Sequence, residues 1–246
     1  MSGTRPTTQR ARYGVDGPAH VAVLVGATSA LLASAAATLA TRRRLGWWLL
    51  AGGAFEGFRA GTYLYATLRG KLEAWAREVG ALHLTGTEQV LDLGCGRGAV
   101  LLTVAHRLTT GRAVGLDLWQ AKELSGNTEA AARRNADIEG LADRVDVVTG
   151  DLRALPFDDA SFDRVVSNLA LHNVPDDADR AAALAEALRV LRPGGRLLLA
   201  DVFHTGAYAA ALRSAGAEDV SVRPLGPRVW FGGPWFVLKM VSARKS

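Results

Sequence analysis

Two regimes of hydrophobic patterning divide the chain. Residues 19–40 contain no Asp, Glu, Lys or Arg. At ~1.5 Å per helical residue they make a helix of about 33 Å, enough to cross a bilayer core, although much of the run is weakly apolar Ala. A second stretch, residues 45–68, opens on Trp47, Trp48, Leu49 and Leu50 but carries Glu56 and Arg59. Those two sit three apart and can pair on one helical face. Trp47, Trp48, Tyr63 and Tyr65 flank the stretch as an interfacial belt does. The pattern predicts an apolar helical hairpin over 19–68, in or across a membrane, with Arg42, Arg43 and Arg44 at its turn and a basic tail over 1–18 before it. Leu72, Trp75, Ala76 and Val79 at helical spacing predict an amphipathic linker helix over 69–84.

Two other readings of the apolar third stand beside this one. A soluble helical lid on the rest of the chain is one. The other is a secretory signal, with Arg5, Arg10 and Arg12, an apolar run and small residues at 35–37. Charge distribution favours a hairpin with both ends in the cytoplasm. Arg5, Arg10, Arg12, Arg69, Lys71 and Arg77 flank it, against the arginine triplet at its turn.

Beyond Gly86 short apolar runs alternate with longer helical segments. Strands are predicted at 89–93, 113–117, 145–149, 162–167 and 196–201, and helices at 99–108, 127–138 and 179–191. Such alternation predicts a parallel sheet covered by helices on both faces. The runs at 220–223 and 236–242, separated by Gly- and Pro-rich sequence, predict a closing antiparallel pair at the sheet edge. The domain so defined covers residues 85–246.

Composition changes this picture little. With 49% apolar and 22% charged residues the chain can build a core, and disorder is excluded. A net charge of +5 and a pI near 9.8 raise the question of nucleic acid, but no aromatic-basic stripe or nucleic-acid motif accompanies the charge. The single Cys95 excludes an internal disulfide and a cysteine-cluster metal site, and the five histidines form no ligand cluster in the sequence.

The candidate chemistry begins at Asp92-Leu93-Gly94-Cys95-Gly96-Arg97-Gly98. A buried strand runs into three alternate glycines, which let the backbone turn sharply and approach a ligand, and then into a helix whose first N–H groups are free for an anion. Dinucleotide dehydrogenases have a related loop, so other features decide. Asp117 ends the next strand, where a carboxylate can accept from both ribose hydroxyls. Gly150-Asp151-Leu152 and then Leu155-Pro156-Phe157 place a second carboxylate and an apolar wall where an adenine would lie. Leu191-Arg192-Pro193-Gly194-Gly195 reads as a turn before the fifth strand.

Together these residues resemble the class I S-adenosylmethionine-dependent methyltransferases, in particular the small-molecule group that includes the ubiquinone and menaquinone enzymes. The resemblance covers residues 85–246. It implies a Rossmann-like α/β fold, a seven-stranded mixed sheet of order 3-2-1-4-5-7-6 with only the seventh strand antiparallel, preceded here by the α-helical hairpin. It implies S-adenosylmethionine as cofactor, held by Asp92, Gly94, Cys95, Gly96, Asp117, Leu118, Asp151, Leu152 and Asn168. Gly94 and Gly96 would line its methionine end, Asp117 would bind the ribose and Asp151 the adenine. The stretch from Leu118 to Asn127 is longer than the family pattern and could reach over the cofactor.

Methyl transfer from a sulfonium is an in-line displacement that needs alignment, dryness and a correctly protonated nucleophile, and no metal. His172, in Ser167-Asn168-Leu169-Ala170-Leu171-His172, is the candidate base, or else packs beside the cofactor or caps the following turn. Asn168 is the second catalytic candidate, or a turn cap. His204 has the same site-or-turn ambiguity. Trp230, Phe231, Trp235 and Phe236, around Gly232-Gly233-Pro234, either wall an apolar acceptor pocket or seal the sheet edge. Cys95's side chain reads as packing. The expected partners are a small acceptor, lipid-like if it is delivered from the bilayer, and the cell membrane, with the catalytic domain facing the cytoplasm. A non-catalytic adenosylmethionine-binding module and a nicotinamide-dependent oxidoreductase stay as alternatives. The latter lacks the later glycine of its pattern and gives Gly150-Asp151 no role.

Overall fold

The computed structural model describes residues 10–246; Arg5 and the rest of the first nine residues lie outside that range. Two long helices open the chain, α1 (Pro18–Thr38) and α2 (Arg43–Tyr65). They pack as the expected antiparallel hairpin, and small residues set its close approach. A Cβ on Gly53 would come within 2.6 Å of Leu32, and one on Gly46 within 2.8 Å of Leu39. Glycine at such spacing lets two apolar helices touch without a water-driven core between them. Among the described residues α1 is the one helix long and apolar enough to cross a membrane, and little of it is buried. Val23, Trp47, Trp48, Phe55 and Phe58 all stand exposed.

A π-helical turn, Ala66–Gly70, leads into α3 (Lys71–Ala81). The expected amphipathic helix is therefore present, but it is no free spacer. Trp75 and Val79 are 1% exposed and belong to the same core as the sheet.

The sheet follows as β1 (Gln89–Leu93), α4 (Ala99–Ala105), β2 (Arg112–Asp117), α5 (Glu129–Ile138), β3 (Val145–Thr149), β4 (Phe162–Asn168), α6 (Asp177–Val190), β5 (Leu191–Asp201), α7 (Thr205–Ser214), β6 (Glu218–Pro224) and β7 (Lys239–Arg244). Its seven strands lie in the order β3-β2-β1-β4-β5-β7-β6. All neighbours are parallel except β7, which is antiparallel to both β5 and β6. This is the expected Rossmann-like architecture. Alternation along β1 shows how it is filled: Val90 joins the core under α3, α4 and α5, while Leu91 and Leu93 join the core under α6 and α7.

Several boundaries differ from the sequence reading. Helix α4 stops at Ala105, because residues 106–111 turn back so that the N–H groups of Thr109, Thr110 and Gly111 donate to the Gly86 carbonyl. Helix α5 starts at Glu129, with Thr128 capping it by accepting from the Ala131 N–H. Residues 191–195 are the first part of β5 and not a separate turn, since Leu191 already pairs with Phe162. β7 begins three residues later than expected because Gly232 and Gly233, both at positive φ, fold residues 230–237 into a tight loop closed by a Trp230–Val237 bridge. Helix α7 has no counterpart in the sequence reading. Its buried stripe of Tyr208, Ala209 and Leu212 is short and set in Ala-rich sequence, so its period is faint.

Candidate active site

Strand β1 has β2 on one side and β4 on the other, so the chain direction of the crossovers reverses there and leaves a crevice at the carboxyl ends of the strands. A cavity of about 670 Å³ occupies that crevice. It runs from Gly94, Gly96, Asp117, Gly150, Asp151 and Leu152 at one end to Val202, Phe203, Phe231 and Phe236 at the other, with Asn168, Leu169, Ala170 and His172 between.

The glycine turn is shaped as the sequence predicts. Gly94 and Gly96 have φ of 72° and 54°. A Cβ on Gly94 would stand 2.2 Å from the Ala170 Cβ, so only glycine fits where the turn passes under β4. Asp117 then locks the turn from β2. Its Oδ2 accepts from the Gly96 N–H at 2.8 Å, and its Oδ1 accepts from the Trp119 N–H at 2.6 Å and from the Asn127 side chain at 3.1 Å. An ionised carboxylate offers about four lone-pair sites. Asp117 therefore keeps roughly one for a ligand while bracing the turn and the 118–127 loop with the rest. That loop lies along the cavity wall through Leu118, Gln120, Lys122, Glu123, Leu124 and Asn127.

The other predicted residues divide between the cavity wall and the interior behind it. The Cys95 thiol lines no cavity; it is buried against Gly115, whose added Cβ would sit 2.7 Å from the sulfur. Asp92 lies behind the turn and does not line the cavity. It is 2% exposed, and neither carboxylate oxygen has a partner. Burial, and then the charge of Asp117, pushes its pKa up to about 8. Asp151 lines the cavity but is gripped by Arg153, whose guanidinium holds its pKa below the ordinary range and also reaches Asp179 at 2.5 Å. Asn168 points its carbonyl at Trp75, accepting from Nε1 at 2.8 Å, which leaves its amide N–H groups to the cavity. His204, at φ 55°, precedes α7 as a turn residue and lines no part of the cavity. Of the aromatic cluster, Phe231 and Phe236 line the cavity, whereas Trp235 lies outside against Phe55 of α2.

His172 has a partner that the sequence did not single out. The register places Asn168 beside Ala200, so the end of β5 meets the turn after β4. There Asp201, 2% exposed, bonds His172 Nδ1 at 2.8 Å and accepts its backbone N–H at 3.1 Å. It also accepts from the Val202 N–H and the Tyr208 hydroxyl. Burial alone would lower the His172 pKa, but the Asp201 carboxylate, followed by Glu123 and Asp16, more than offsets this and raises it. Nε2 is the ring nitrogen left for another partner.

The N-terminal segment also enters the site. Asp16, Gly17 and His20 from the start of α1, and Tyr63 from the end of α2, line the cavity. Asp16 binds buried Lys71 through both oxygens at 2.9 and 2.7 Å and exchanges two hydrogen bonds with Thr67. Val15 and Gly17 donate to Ser125 Oγ and to the Glu123 carbonyl, tying this strap to the 118–127 loop. Asp16-Gly17-Pro18 carries the one local signal, a helix start with Pro in its first turn.

The glycine turn, an acid at or just after the ends of β2 and β3, and the sheet order are those of the Rossmann-like methyltransferase fold. Residues 91–199 match a family model described as a methyltransferase domain. A ubiquinone/menaquinone biosynthesis C-methyltransferase of Roseobacter denitrificans is 37% identical over 114 residues, 46% of this chain and 42% of the relative. A 27-O-demethylrifamycin SV methyltransferase of Amycolatopsis mediterranei is 36% identical over 127 residues, 51% of this chain and 42% of the relative. The chain thus spans less than half the length of these relatives. Among solved structures, a SAM-dependent methyltransferase from Aquifex aeolicus shares the fold at TM-score 0.58 and 19% identity, over 72% of this chain and 94% of that one.

The residues present fit the cofactor of this class. A turn with no room for Cβ atoms, a cavity-lining Asn127 whose Oδ1 lacks a partner and an unpaired Asp92 carboxylate behind the turn suit a cationic amino acid tail. Asp117 and Asp151 suit a nucleoside.

Proposed function

We propose that this protein transfers a methyl group from S-adenosylmethionine to a small, apolar or membrane-associated acceptor, and that residues 19–68 anchor it in the cell membrane with residues 85–246 facing the cytoplasm. One observation carries the reading. A single cavity joins the glycine-and-acid end to an aromatic end, and that aromatic end is walled by the feet of an exposed apolar hairpin. An acceptor leaving the bilayer along the hairpin would arrive beside His172. Quinone methyltransferases among the relatives support the acceptor class.

Bound S-adenosylmethionine supplies an electrophilic methyl whose departure leaves a neutral thioether. The chain's own part is to orient and dry the two reactants and to handle one proton. Asn168 turns its amide toward the reacting centre because Trp75 fixes its carbonyl. Phe231 and Phe236 exclude water there. His172, with Nδ1 held by Asp201, is poised to accept through Nε2 a proton from an acceptor hydroxyl. Asp201 steadies the imidazolium so formed, as buried carboxylates paired with a catalytic imidazole do.

The test incubates the full chain in vesicles containing bacterial lipid extract with deuterated-methyl S-adenosylmethionine, followed by mass spectrometry. A labelled compound in the lipid phase is expected. Label confined to water-soluble compounds overturns the acceptor class, and cofactor binding without any transfer favours a non-catalytic binding module.

A further inference from the structure

The hairpin presents two unlike outer faces. At about 100° per residue, the buried Gly46, Gly53 and Ala60 of α2 fall on one line, and along it Gly46 meets Leu39 and Gly53 meets Leu32 of the other arm. Trp47, Trp48, Phe55, Phe58 and Tyr65 fall within an arc of about 100° on the opposite side. All five are exposed, Trp48 by 79%. The outer face of α1, opposite its buried Leu24 and Ala35, is made of Ala22, Gly26, Ser29, Ala33 and Ala36. A hairpin that crosses a bilayer meets lipid on every side. One aromatic face and one face of small side chains suit a hairpin that meets lipid on one side alone.

Length decides between the two arrangements. Phe55 lies against Trp235 of the sheet domain, with ring centroids 5.9 Å apart, and a Cβ on Gly232 would stand 4.0 Å from the Arg59 carbonyl. The 230–237 loop therefore flanks α2 from its end back to Phe55. Only Arg43 to Ala54 project beyond it, about 18 Å of helix against the roughly 30 Å of a hydrocarbon core. To span, α2 would have to carry that folded loop into the core, where irregular backbone has no water to bond. Composition agrees: α2 holds Arg43, Arg44, Glu56 and Arg59, and among the described residues only α1 is long and apolar enough to cross, whereas a crossing hairpin needs two such helices.

Charge supplies the last constraint. Arg42, Arg43 and Arg44 stand exposed at the far end of the hairpin, and the one acid of α2, Glu56, is taken by Arg59 at 2.9 Å. Inserted upright, the short projection would leave three arginines near the bilayer midplane, where charge is costly. Laid along the surface, it brings them to lipid phosphates, which guanidinium groups bind well.

We propose that α1 and α2 lie along a single anionic leaflet and do not cross the bilayer. The aromatic arc of α2 and Trp235 sit at the boundary of headgroups and acyl chains, and Arg42, Arg43 and Arg44 rest on phosphates of the same leaflet. The inference rests on the membrane reading above and adds to it the arrangement and the lipid class. Hairpin tip and sheet domain then share one side of the membrane. Trp235 brings to the lipid surface the loop whose Phe231 and Phe236 wall the aromatic end of the cavity.

The test places a thiol at the tip and another on the domain of the full-length protein, Thr41→Cys and Ser214→Cys, both at exposed positions; the native Cys95 is buried, so the wild-type protein is the blank. Sealed inverted bacterial membranes, cytoplasmic face outward, are treated with a membrane-impermeant maleimide before and after detergent permeabilisation. Both thiols are expected to react before it. A tip thiol that reacts only afterwards marks a crossing hairpin and overturns the proposal. One that reacts at neither stage does so too, because it is then buried and not among headgroups. Flotation of purified protein with phosphatidylcholine vesicles, with and without phosphatidylglycerol, tests the lipid face. Trp47→Ala/Trp48→Ala is expected to weaken binding at least tenfold, and Arg42→Gln/Arg43→Gln/Arg44→Gln to abolish a preference for phosphatidylglycerol of roughly tenfold or more. Unaltered binding by either variant contradicts the arrangement. A soluble dimer that Trp48→Ala dissociates would assign the aromatic face to a second copy and overturn it. Protein that neither sediments with membranes nor floats refutes the membrane reading itself, a result distinct from a tip thiol on the far side.

Discussion

Replacing Asp117 with Ala tests the cofactor assignment and the brace at once. The substitution strips a charged acceptor from the Gly96 N–H, the Trp119 N–H and the Asn127 amide. Hydrogen bonds to charged groups contribute about 1.5–3 kcal/mol each. Asp117 lines the cavity, so water can re-satisfy part of that loss, and about 3 kcal/mol in total is the reasonable scale. For a domain of this size that corresponds to a fall in Tm of roughly 6–12 °C. The cofactor loses twice, through the lone pair meant for its ribose and through a glycine turn no longer held open. At least a tenfold weaker Kd is expected, about 1.4 kcal/mol. Isothermal calorimetry with S-adenosylhomocysteine reads the affinity and scanning calorimetry the stability. Asp117→Asn should fall between the two proteins, because it keeps one oxygen but turns an amide donor toward another donor. Unchanged affinity in a folded Asp117→Ala protein would refute the assignment.

Three further outcomes follow from the same geometry. The Asp201 carboxylate raises the His172 pKa, so the acid limb of kcat/KM should lie above that of an ordinary histidine; Asp201→Asn should move the limb to lower pH and cut kcat roughly a hundredfold, and an unmoved limb would remove His172 as base. Lys71→Met leaves Asp16 without its buried cation and should cost about 3 kcal/mol, much of it recovered in the Asp16→Asn/Lys71→Met double variant; thermal melts in which the double variant is no better than the single would show the clamp to be unimportant. The Asp92 pKa is raised to about 8, so the folded state holds a proton that the unfolded state has released, and stability falls as pH rises from about 4 towards 8. Asp92→Asn should therefore raise Tm at pH 8, with a smaller gain at pH 5; equal Tm gains at both pH values would contradict the buried-carboxylate account.

The sheet was legible because strands buried on both faces read as short apolar runs between helical periods, and β1, β3 and β4 lie where those runs do. The glycine turn and Asp117 were legible because their chemistry is local: a strand end, a turn, a carboxylate. What the sequence hid is long-range. Nothing near His172 announces Asp201; the pair exists because β4 and β5 are neighbours in register. Nothing near Asn168 announces Trp75, which reaches it from a helix that reads as a linker. Asp117 looked like a ligand residue and is first a brace, since the three donors that use it come from two loops folded against each other.

The same long-range logic ties the two regimes of the chain together. The π-helical turn at Ala66–Gly70 sits where the apolar hairpin passes into α3, and it presents Thr67 to Asp16 one turn before Lys71 reaches the same carboxylate. Gly70 is essential to that passage, because a Cβ there would stand 1.8 Å from the Arg228 carbonyl. The hairpin is therefore tied to the cavity through both ends: through the Val15–Gly17 strap to the 118–127 loop that Asp117 braces, and through α3 to Trp75 and Asn168. A hairpin seated in a bilayer would fix those ends, and a tilted or withdrawn one would loosen both walls together. On this reasoning hairpin and sheet are a single device, in which the two apolar helices also set the shape of the cavity.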